Sequence, residues 1–256
     1  MAEPQPRTAL ITGAAQRIGR AIALDLARHG WAVAVHYRRS ADHAAALVDR
    51  IAGAGGTAVA LPADLTDEAQ VGALVPAAVG ALGPLTLLVN NAAAFAGDDI
   101  RDGTRQTWEL HMETNLRAPV VLIQHFARQL PETTRGNVVN ILDQRVWNPT
   151  PYFMSYTVSK TALWTLTRTL AMALAPRIRV NAVGPGPTLK NDRQSDDHFN
   201  QQWQSIPLER GTEPAEIAAA IRYIVDAPAL TGQMIALDGG EHLGWAQPKR
   251  GIVPIE

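Results

Sequence analysis

The sequence predicts a doubly wound α/β fold: a single parallel sheet of about seven strands with helices on both faces. Two observations predict it. Short β-branched apolar runs bounded by turn residues alternate with longer Ala- and Leu-rich stretches along the chain, and strands separated by helices pair in parallel through right-handed crossovers. The run from Leu85 to Leu88 is nearly unbroken in its apolarity, which suits a central strand buried on both faces.

The elements follow in order. Residues 8–11 form the first strand, and 17–29 a helix whose last turn, His29, is followed by Gly30 where a C-terminal glycine belongs. A strand at 32–36, a helix at 42–54 and a strand at 57–61 come next. Asp67 stands at the N-cap of a helix over 68–82, ahead of the strand at 85–89. Strands at 137–142, 177–183 and 234–237 complete the sheet, with a strongly helical segment at 152–174. Residues 190–205 are polar and irregular and are expected to form a mobile lid or loop; 247–256, with two prolines and a glycine, an extended tail.

Composition narrows the class. The chain has 256 residues, which fits one domain over 1–256 with a short N-terminal extension. It has no cysteine, which excludes disulfides, thiolate metal sites and cysteine nucleophiles. A net charge of −1 offers no basic surface for nucleic acid or an anionic membrane. No window approaches the ~18 apolar residues of a membrane span. The first seven residues have no hydrophobic stretch and read as neither signal peptide nor anchor, so a cytoplasmic protein is expected. His36 and His111 lack neighbours at metal-ligand spacing, and no metal is expected.

After the first strand comes Thr12-Gly13-Ala14-Ala15-Gln16-Arg17-Ile18-Gly19. Gly13 permits a tight turn, Gly19 permits close helix–strand packing, and the helix start offers free N–H groups to a pyrophosphate. An ordinary strand–turn–helix could carry the same glycines, so the reading as a dinucleotide loop draws its weight from residues downstream. The end of the second strand reads His36-Tyr37-Arg38-Arg39-Ser40, with no carboxylate before Asp42. NAD-binding domains use an acidic residue there; two cations and a hydroxyl, with Arg17 nearby, suit the 2′-phosphate of NADP. A solvated basic loop is the alternative. Asp64, followed by Leu65, can receive an adenine edge or simply cap the next turn.

Tyr156 and Lys160 are four residues apart in a helical segment and share one face. An ammonium beside a phenol favours the phenolate, which makes the tyrosine a better proton donor as hydride reaches a substrate. Alone, the pair is ordinary surface chemistry. It gains weight from Asn90-Asn91-Ala92 at the end of the fourth strand and from Asn115 in the next helix. Pro119, four residues after Asn115, has no N–H for that carbonyl. In a continuous helix the carbonyl is free to hold a water for a proton relay, although a plain kink would explain the proline equally.

With these pieces, the chain resembles the short-chain dehydrogenase/reductase family from Thr8 to about Leu243. Thr12-Gly13 with Gly19, Asn90-Asn91-Ala92, Asn115, Tyr156 with Lys160, Pro185-Gly186 with Thr188, and Asp238-Gly239-Gly240 carry the resemblance. It implies a tetrad of Asn115, a serine, Tyr156 and Lys160, with Tyr156 as acid/base and Lys160 also on the nicotinamide ribose. Gly13, Arg17, Ile18, Gly19, Asn91 and Ala92 would line the NADP(H) site, and Pro185, Gly186 and Thr188 would flank the nicotinamide. The family also implies a homotetramer with two-fold symmetry.

Two positions depart from the family pattern. The serine, thirteen residues before the tyrosine, is replaced by Asp143, and the middle glycine of the loop by Arg17. Both resemble the pteridine reductases and their bacterial dihydromonapterin or dihydrofolate reductase relatives, as do the His36–Ser40 run and an aromatic at Phe95. A hydroxyl suits a ketone oxygen, whereas a carboxylate is a better acceptor for the ring N–H donors of a pterin. The resemblance implies hydride transfer from NADPH to a C=N carbon, with Tyr156 protonating nitrogen and Asp143 in support. Arg17, Phe95, Asp143 and Tyr156 are the candidate substrate residues, with Phe95 stacking on the ring or serving as ordinary core. Ala93 lacks a hydroxyl that the branch often carries. Trp147, Trp203 and Trp245 can line a pocket or pack elsewhere. Two rivals stay open: a carbonyl reductase or alcohol dehydrogenase of the same fold, and a catalytically silent NADPH-binding regulator.

Overall fold

The computed structural model describes residues 7–190 and 194–244. Its sheet has seven strands, β1 (Thr8–Ile11), β2 (Ala32–Tyr37), β3 (Ala58–Pro62), β4 (Leu87–Asn90), β5 (Gly136–Ile141), β6 (Ile178–Pro185) and β7 (Met234–Leu237). They lie in the order β3-β2-β1-β4-β5-β6-β7, and every pairing is parallel. The expected α/β class is therefore what the chain adopts, with strand ends moved by one or two residues.

Among the described residues, eight α-helices fill the crossovers: α1 (Arg17–Arg28), α2 (Ala41–Gly53), α3 (Glu68–Leu82), α4 (Arg105–Met112), α5 (Ala118–Gln129), α6 (Met154–Ala173), α7 (Asp196–Gln204) and α8 (Pro214–Asp226). Successive strand residues alternate between two cores. Ile11 and Val89 pack with Ile22, Leu26 and Ile221 on one face. Leu10 and Leu88 pack with Leu74, Leu122 and Phe126 on the other. Because both faces are covered, the central strands read as continuous apolar runs.

Helix ends agree with their sequence signals. Asp67 accepts from the backbone N–H groups of Ala69 and Gln70, and Gly30 follows α1 at φ +80°. One expectation is corrected. Part of the segment 190–205 is not irregular: 196–204 is α7, begun by Ser195, whose hydroxyl accepts from the His198 N–H at 3.2 Å. A serine cap and two first-turn aspartates stabilise a helix that has too few apolar positions to show periodicity. The helix through Asn115 runs on without a break from α4 into α5, but not in regular α register. Residues Glu113–Arg117 form a π-turn between α4 and α5, in which the Ala118 N–H bonds back to the Glu113 carbonyl. Pro119 cannot donate to Asn115, and the register shifts by one residue at that point. The expected tail over 247–256, the N-terminal extension through residue 6, and Trp245 lie outside the described residues.

The strand order reverses at β1, which has β2 on one side and β4 on the other. In open α/β sheets the crevice beyond the carboxyl ends of the strands at such a point is where ligands bind. The loops after β1, β4, β5 and β6 all open there.

Candidate active site

A continuous cleft runs across those strand ends. Its wider part, about 580 Å³, is lined by Gly13, Gly19, Arg38, Asp64 and Leu65 among others. Its narrower part, about 240 Å³, is lined by Asp143, Tyr156, Lys160 and Pro185 among others. Arg17, Ile18, Asn91 and Phe95 border both.

The loop after β1 is built for close approach. Gly13 sits at φ +63°, and a Cβ on Gly19 would lie 2.3 Å from the Gly13 carbonyl oxygen. The Asn91 side-chain N–H donates to the carbonyls of Thr12 and Gly13 at 2.8 and 3.2 Å and so pins the loop to the end of β4. His36, 2% exposed, holds it from beneath, accepting the Gly13 N–H at Nδ1 (2.9 Å) while Nε2 donates to the Ala63 carbonyl (3.1 Å). Burial holds this imidazole below its usual pKa, in the neutral form that this bonding requires.

This end of the cleft fits a dinucleotide phosphate. At the start of α1, Gln16 makes no side-chain cap bond and the first turn has no acidic residue, so N–H groups and the helix dipole face the cleft without competition from a carboxylate. Arg38 borders it, and Arg39 is exposed beside it. The Asp64 carboxylate accepts from the Thr66 N–H and hydroxyl, which hold it below the usual carboxylate range. Tyr37 packs against the core, and Ser40 precedes α2 without a side-chain cap bond.

Arg17 lies at φ +53°, in the left-handed region, which costs a residue with a side chain about 1–2 kcal/mol. Its guanidinium reaches across the cleft and donates to the carbonyls of Leu189 and Lys190 at 3.0 and 2.9 Å. It therefore spans from the phosphate loop to the stretch after β6, where Pro185, Gly186 and Thr188 border the narrower part of the cleft.

The candidate catalytic side chains Asp143, Tyr156 and Lys160 meet in that part. The Tyr156 hydroxyl donates to Asp143 Oδ2 at 2.9 Å. Lys160 Nζ donates to the Ile141 carbonyl at 2.7 Å and lies 5.8 Å from the centre of the Tyr156 ring. Lys160 is 2% exposed, and burial brings its pKa down from 10.5 to about 8, against the pull of the Asp143 carboxylate. Asp143 also accepts the Arg145 N–H at 2.8 Å, with the Arg145 guanidinium 3.8 Å from its Oδ2.

Asn115 does not reach the cleft. It is buried, accepting the Ala94 N–H at 2.7 Å and donating to the Ala94 carbonyl and the Ser159 hydroxyl, each at 3.0 Å. It thereby ties the loop after β4 to the helix that carries Tyr156 and Lys160.

Sequence reasoning missed several neighbours. Phe153, also left-handed at φ +56°, stacks on Phe95 with ring centres 4.6 Å apart, so one face of Phe95 is already taken. Phe95 meets Tyr156 edge to face at 4.6 Å. Gln144, Arg145, Phe199, Gln202 and Glu241 border the narrower part. Glu241 follows the Asp238-Gly239-Gly240 motif directly and could have been found; the others carry no local signal. Trp203 donates from its indole to the Pro187 carbonyl at 2.9 Å, and Trp147 packs at the surface against Trp164 and His242.

Comparison with known proteins agrees with this geometry. The family described as enoyl-(acyl carrier protein) reductase matches residues 13–242. Among curated proteins, the 3-oxoacyl-[acyl-carrier-protein] reductase FabG of Staphylococcus epidermidis is 33% identical over 242 residues, 93% of this chain and 99% of that protein. Among solved structures, FolM alternative dihydrofolate reductase 1 from Brucella suis, in complex with NADP, is 48% identical with a TM-score of 0.92, covering 97% of this chain and 99% of that one. A blue fluorescent protein from a metagenomic library, in complex with NADPH, is 33% identical with a TM-score of 0.85, covering 91% and 97%. A glycine-turned loop at the sheet's switch point, and a tyrosine and a buried lysine one helical turn apart beside it, are thus explained together: the chain belongs to the short-chain dehydrogenase/reductase family of oxidoreductases.

Proposed function

We propose that the chain is an NADPH-dependent reductase of a C=N bond in a dihydropterin- or dihydrofolate-type ring. The observation that carries this reading is the Asp143 carboxylate accepting the Tyr156 hydroxyl at 2.9 Å in the cleft. Likeness to FolM alternative dihydrofolate reductase 1 at 48% identity supports it.

NADPH, when bound, supplies the hydride. Gly13, Arg17, Ile18, Gly19 and Ala92 would hold its phosphates, Arg38 and Arg39 its 2′-phosphate, and Asp64 and Leu65 its adenine. Asn91, Pro185, Gly186 and Thr188 would border the nicotinamide, with Lys160 on its ribose. His36 acts on this site through the loop it pins. Tyr156 then donates its proton to the substrate nitrogen. Asp143 favours that acceptor over a ketone. An imine nitrogen is basic enough to take its proton before hydride arrives, and the cation so formed is attracted to a neighbouring carboxylate. A ketone oxygen only gains negative charge, which the carboxylate opposes. Arg145 and Lys160 balance the Asp143 charge. Phe95, which borders both parts of the cleft, would flank the flat substrate.

Asp143→Ser tests the reading. NADPH oxidation is measured with 7,8-dihydrobiopterin, dihydrofolate, simple ketones and a 3-oxoacyl thioester. Wild type is expected to turn over a reduced pterin or folate, and the variant to lose about a hundredfold of that activity, the scale of a group that supports proton transfer. Turnover of ketones or the thioester without any pterin or folate activity would favour the carbonyl-reductase reading, which the FabG relatives suggest.

A pH dependence follows from Lys160. With its pKa brought to about 8 by burial, the ammonium is present below that pH and lost above it. In the reductive direction kcat/KM is expected to fall about tenfold per pH unit above that point, as for loss of one required proton. A profile flat to about pH 10, near the ordinary lysine pKa, would overturn the link between the buried ammonium and turnover, either because Lys160 keeps its ordinary pKa or because its charge is not needed.

A further inference from the structure

The helix that carries Tyr156 and Lys160 is not capped by its own preceding residue. Phe153, at its N-cap, is left-handed and makes no side-chain cap bond. Asp98, from the loop after β4, does this instead. Its backbone carbonyl accepts the Met154 N–H at 3.2 Å, and its carboxylate accepts the Ser155 N–H at 3.2 and 3.3 Å. A carboxylate at that position satisfies N–H groups left free by helix geometry and complements the helix dipole.

A directed chain of hydrogen bonds continues from Asp98 into the core. The Ser155 hydroxyl donates to Asp98 Oδ2 at 2.5 Å. Ser155 Oγ lies 2.6 Å from His111 Nδ1, and His111 Nε2 lies 3.0 Å from the Ala96 nitrogen. A backbone N–H can only donate, so His111 Nε2 must accept and carry no proton. The ring proton is then on Nδ1 and is given to Ser155, which passes its own to Asp98. Asp98, His111 and Ser155 are 6%, 0% and 0% exposed.

We propose that His111 is a positioning residue, whose neutral ring holds the Ala96 N–H and thereby fixes the loop carrying Phe95 against the start of the helix carrying Tyr156. Both ends of the chain adjoin the candidate site: Ala96 follows Phe95, and Ser155 precedes Tyr156. The charged and titratable groups facing the ring are Asp98 from the loop, and Lys160 and Tyr156 from α6, the last with ring centres 5.9 Å apart. Burial and the Lys160 charge hold the imidazole below its usual pKa, and Asp98 opposes them. Protonation turns Nε2 into a donor facing another donor. The bond to Ala96 is then lost, and the Phe95 loop is released from the helix.

The role in substrate binding rests on the function proposed above; the structural role does not, and the experiment separates them. Amide exchange of the Ala96 N–H is followed by NMR on the full NADPH-loaded chain, as a protection factor, at about pH 7.5 and about pH 4.5, the lower value lying well below an ordinary imidazole so that a ring with a lowered pKa is also protonated. His111→Gln offers a side-chain carbonyl to Ala96 and does not titrate; His111→Leu offers no acceptor. Wild type is expected to lose about tenfold of its protection at the lower pH, the equivalent of one buried hydrogen bond. His111→Gln is expected to hold its protection at both values, and His111→Leu to be low at both. KM for the reduced pterin should rise with the loss of protection while kcat changes little. Equal acid-side loss in wild type and His111→Gln, or full protection in His111→Leu, overturns the assignment. Exchange that behaves as expected in a protein with no pterin turnover leaves His111 a positioning residue and overturns only the substrate.

Discussion

Tyr156→Phe is expected to lower reductase turnover by about a thousandfold, within the range that a positioned general acid contributes, while leaving NADPH affinity within about twofold. The phenol oxygen is the group on α6 that can both reach the cleft and give up a proton, and its hydroxyl already points at Asp143 Oδ2. Lys160 is directed to the Ile141 carbonyl and cannot replace it without breaking that bond. Phenylalanine keeps the ring that packs against Phe95 and His111, so fold and cofactor site should survive. Single-turnover kinetics with saturating NADPH, together with a fluorescence titration of the cofactor, would check both halves. A variant that kept more than about a tenth of wild-type turnover would mean that another group donates the proton. Indifference to the substitution in a protein that binds NADPH but reduces nothing would favour the silent-binder reading.

The parts of the molecule legible in its sequence are those whose signal is local. Strand runs such as Thr8–Ile11, the Asp67 cap and the glycine after His29 each record a backbone requirement within a few residues of themselves. Gly13 and Gly19, Tyr156 and Lys160, and the Asp143 substitution were legible for the same reason: short spacings on known elements. The illegible parts depend on contacts between distant segments. Asp98 reads as a loop aspartate, yet it caps a helix that starts 56 residues later. Arg17 suggests a phosphate ligand, yet its guanidinium rests on carbonyls 172 and 173 residues away. Asn115 belongs to a family motif, but only the fold shows that its amide is used up between Ala94 and Ser159. His111 has no local signal at all, because both of its partners come from other elements.

Strain gathers where these long contacts meet. Of three non-glycine residues at positive φ among the described residues, two border or adjoin the candidate site: Arg17, which crosses the cleft, and Phe153, which stacks on Phe95. Such conformations persist only when the surroundings impose them. Phe153 is imposed by the Asp98 cap on one side and the Phe95 ring on the other. Arg17 stands where the family has a glycine, so its strain is accepted in return for a guanidinium between the phosphate loop and the stretch after β6. The departures from the family pattern at Arg17 and Asp143 therefore both border one narrow space, as expected if a single ligand selected both.

Gly19→Ala is expected to weaken NADPH binding by about ten- to a hundredfold, the equivalent of the 1–3 kcal/mol that overpacking a filled site costs. An added Cβ would meet the Gly13 carbonyl oxygen at 2.3 Å, Asn91 Nδ2 at 2.6 Å and Ala14 Cα at 2.9 Å. Two of these are backbone atoms and cannot swing aside. The third is the amide that pins the loop to β4. The first turn of α1 would have to retract from the loop, and its free N–H groups with it. Ala14, the other close backbone contact, is itself held by the His36 carbonyl. The loss should therefore appear in cofactor affinity and thermal stability together, whereas Arg38→Ala, on the exposed rim, should weaken NADPH but not NADH and leave the melting temperature unchanged. A Gly19→Ala protein with wild-type NADPH affinity would mean that the helix start can move without cost to the ligand, and that the phosphates are held elsewhere.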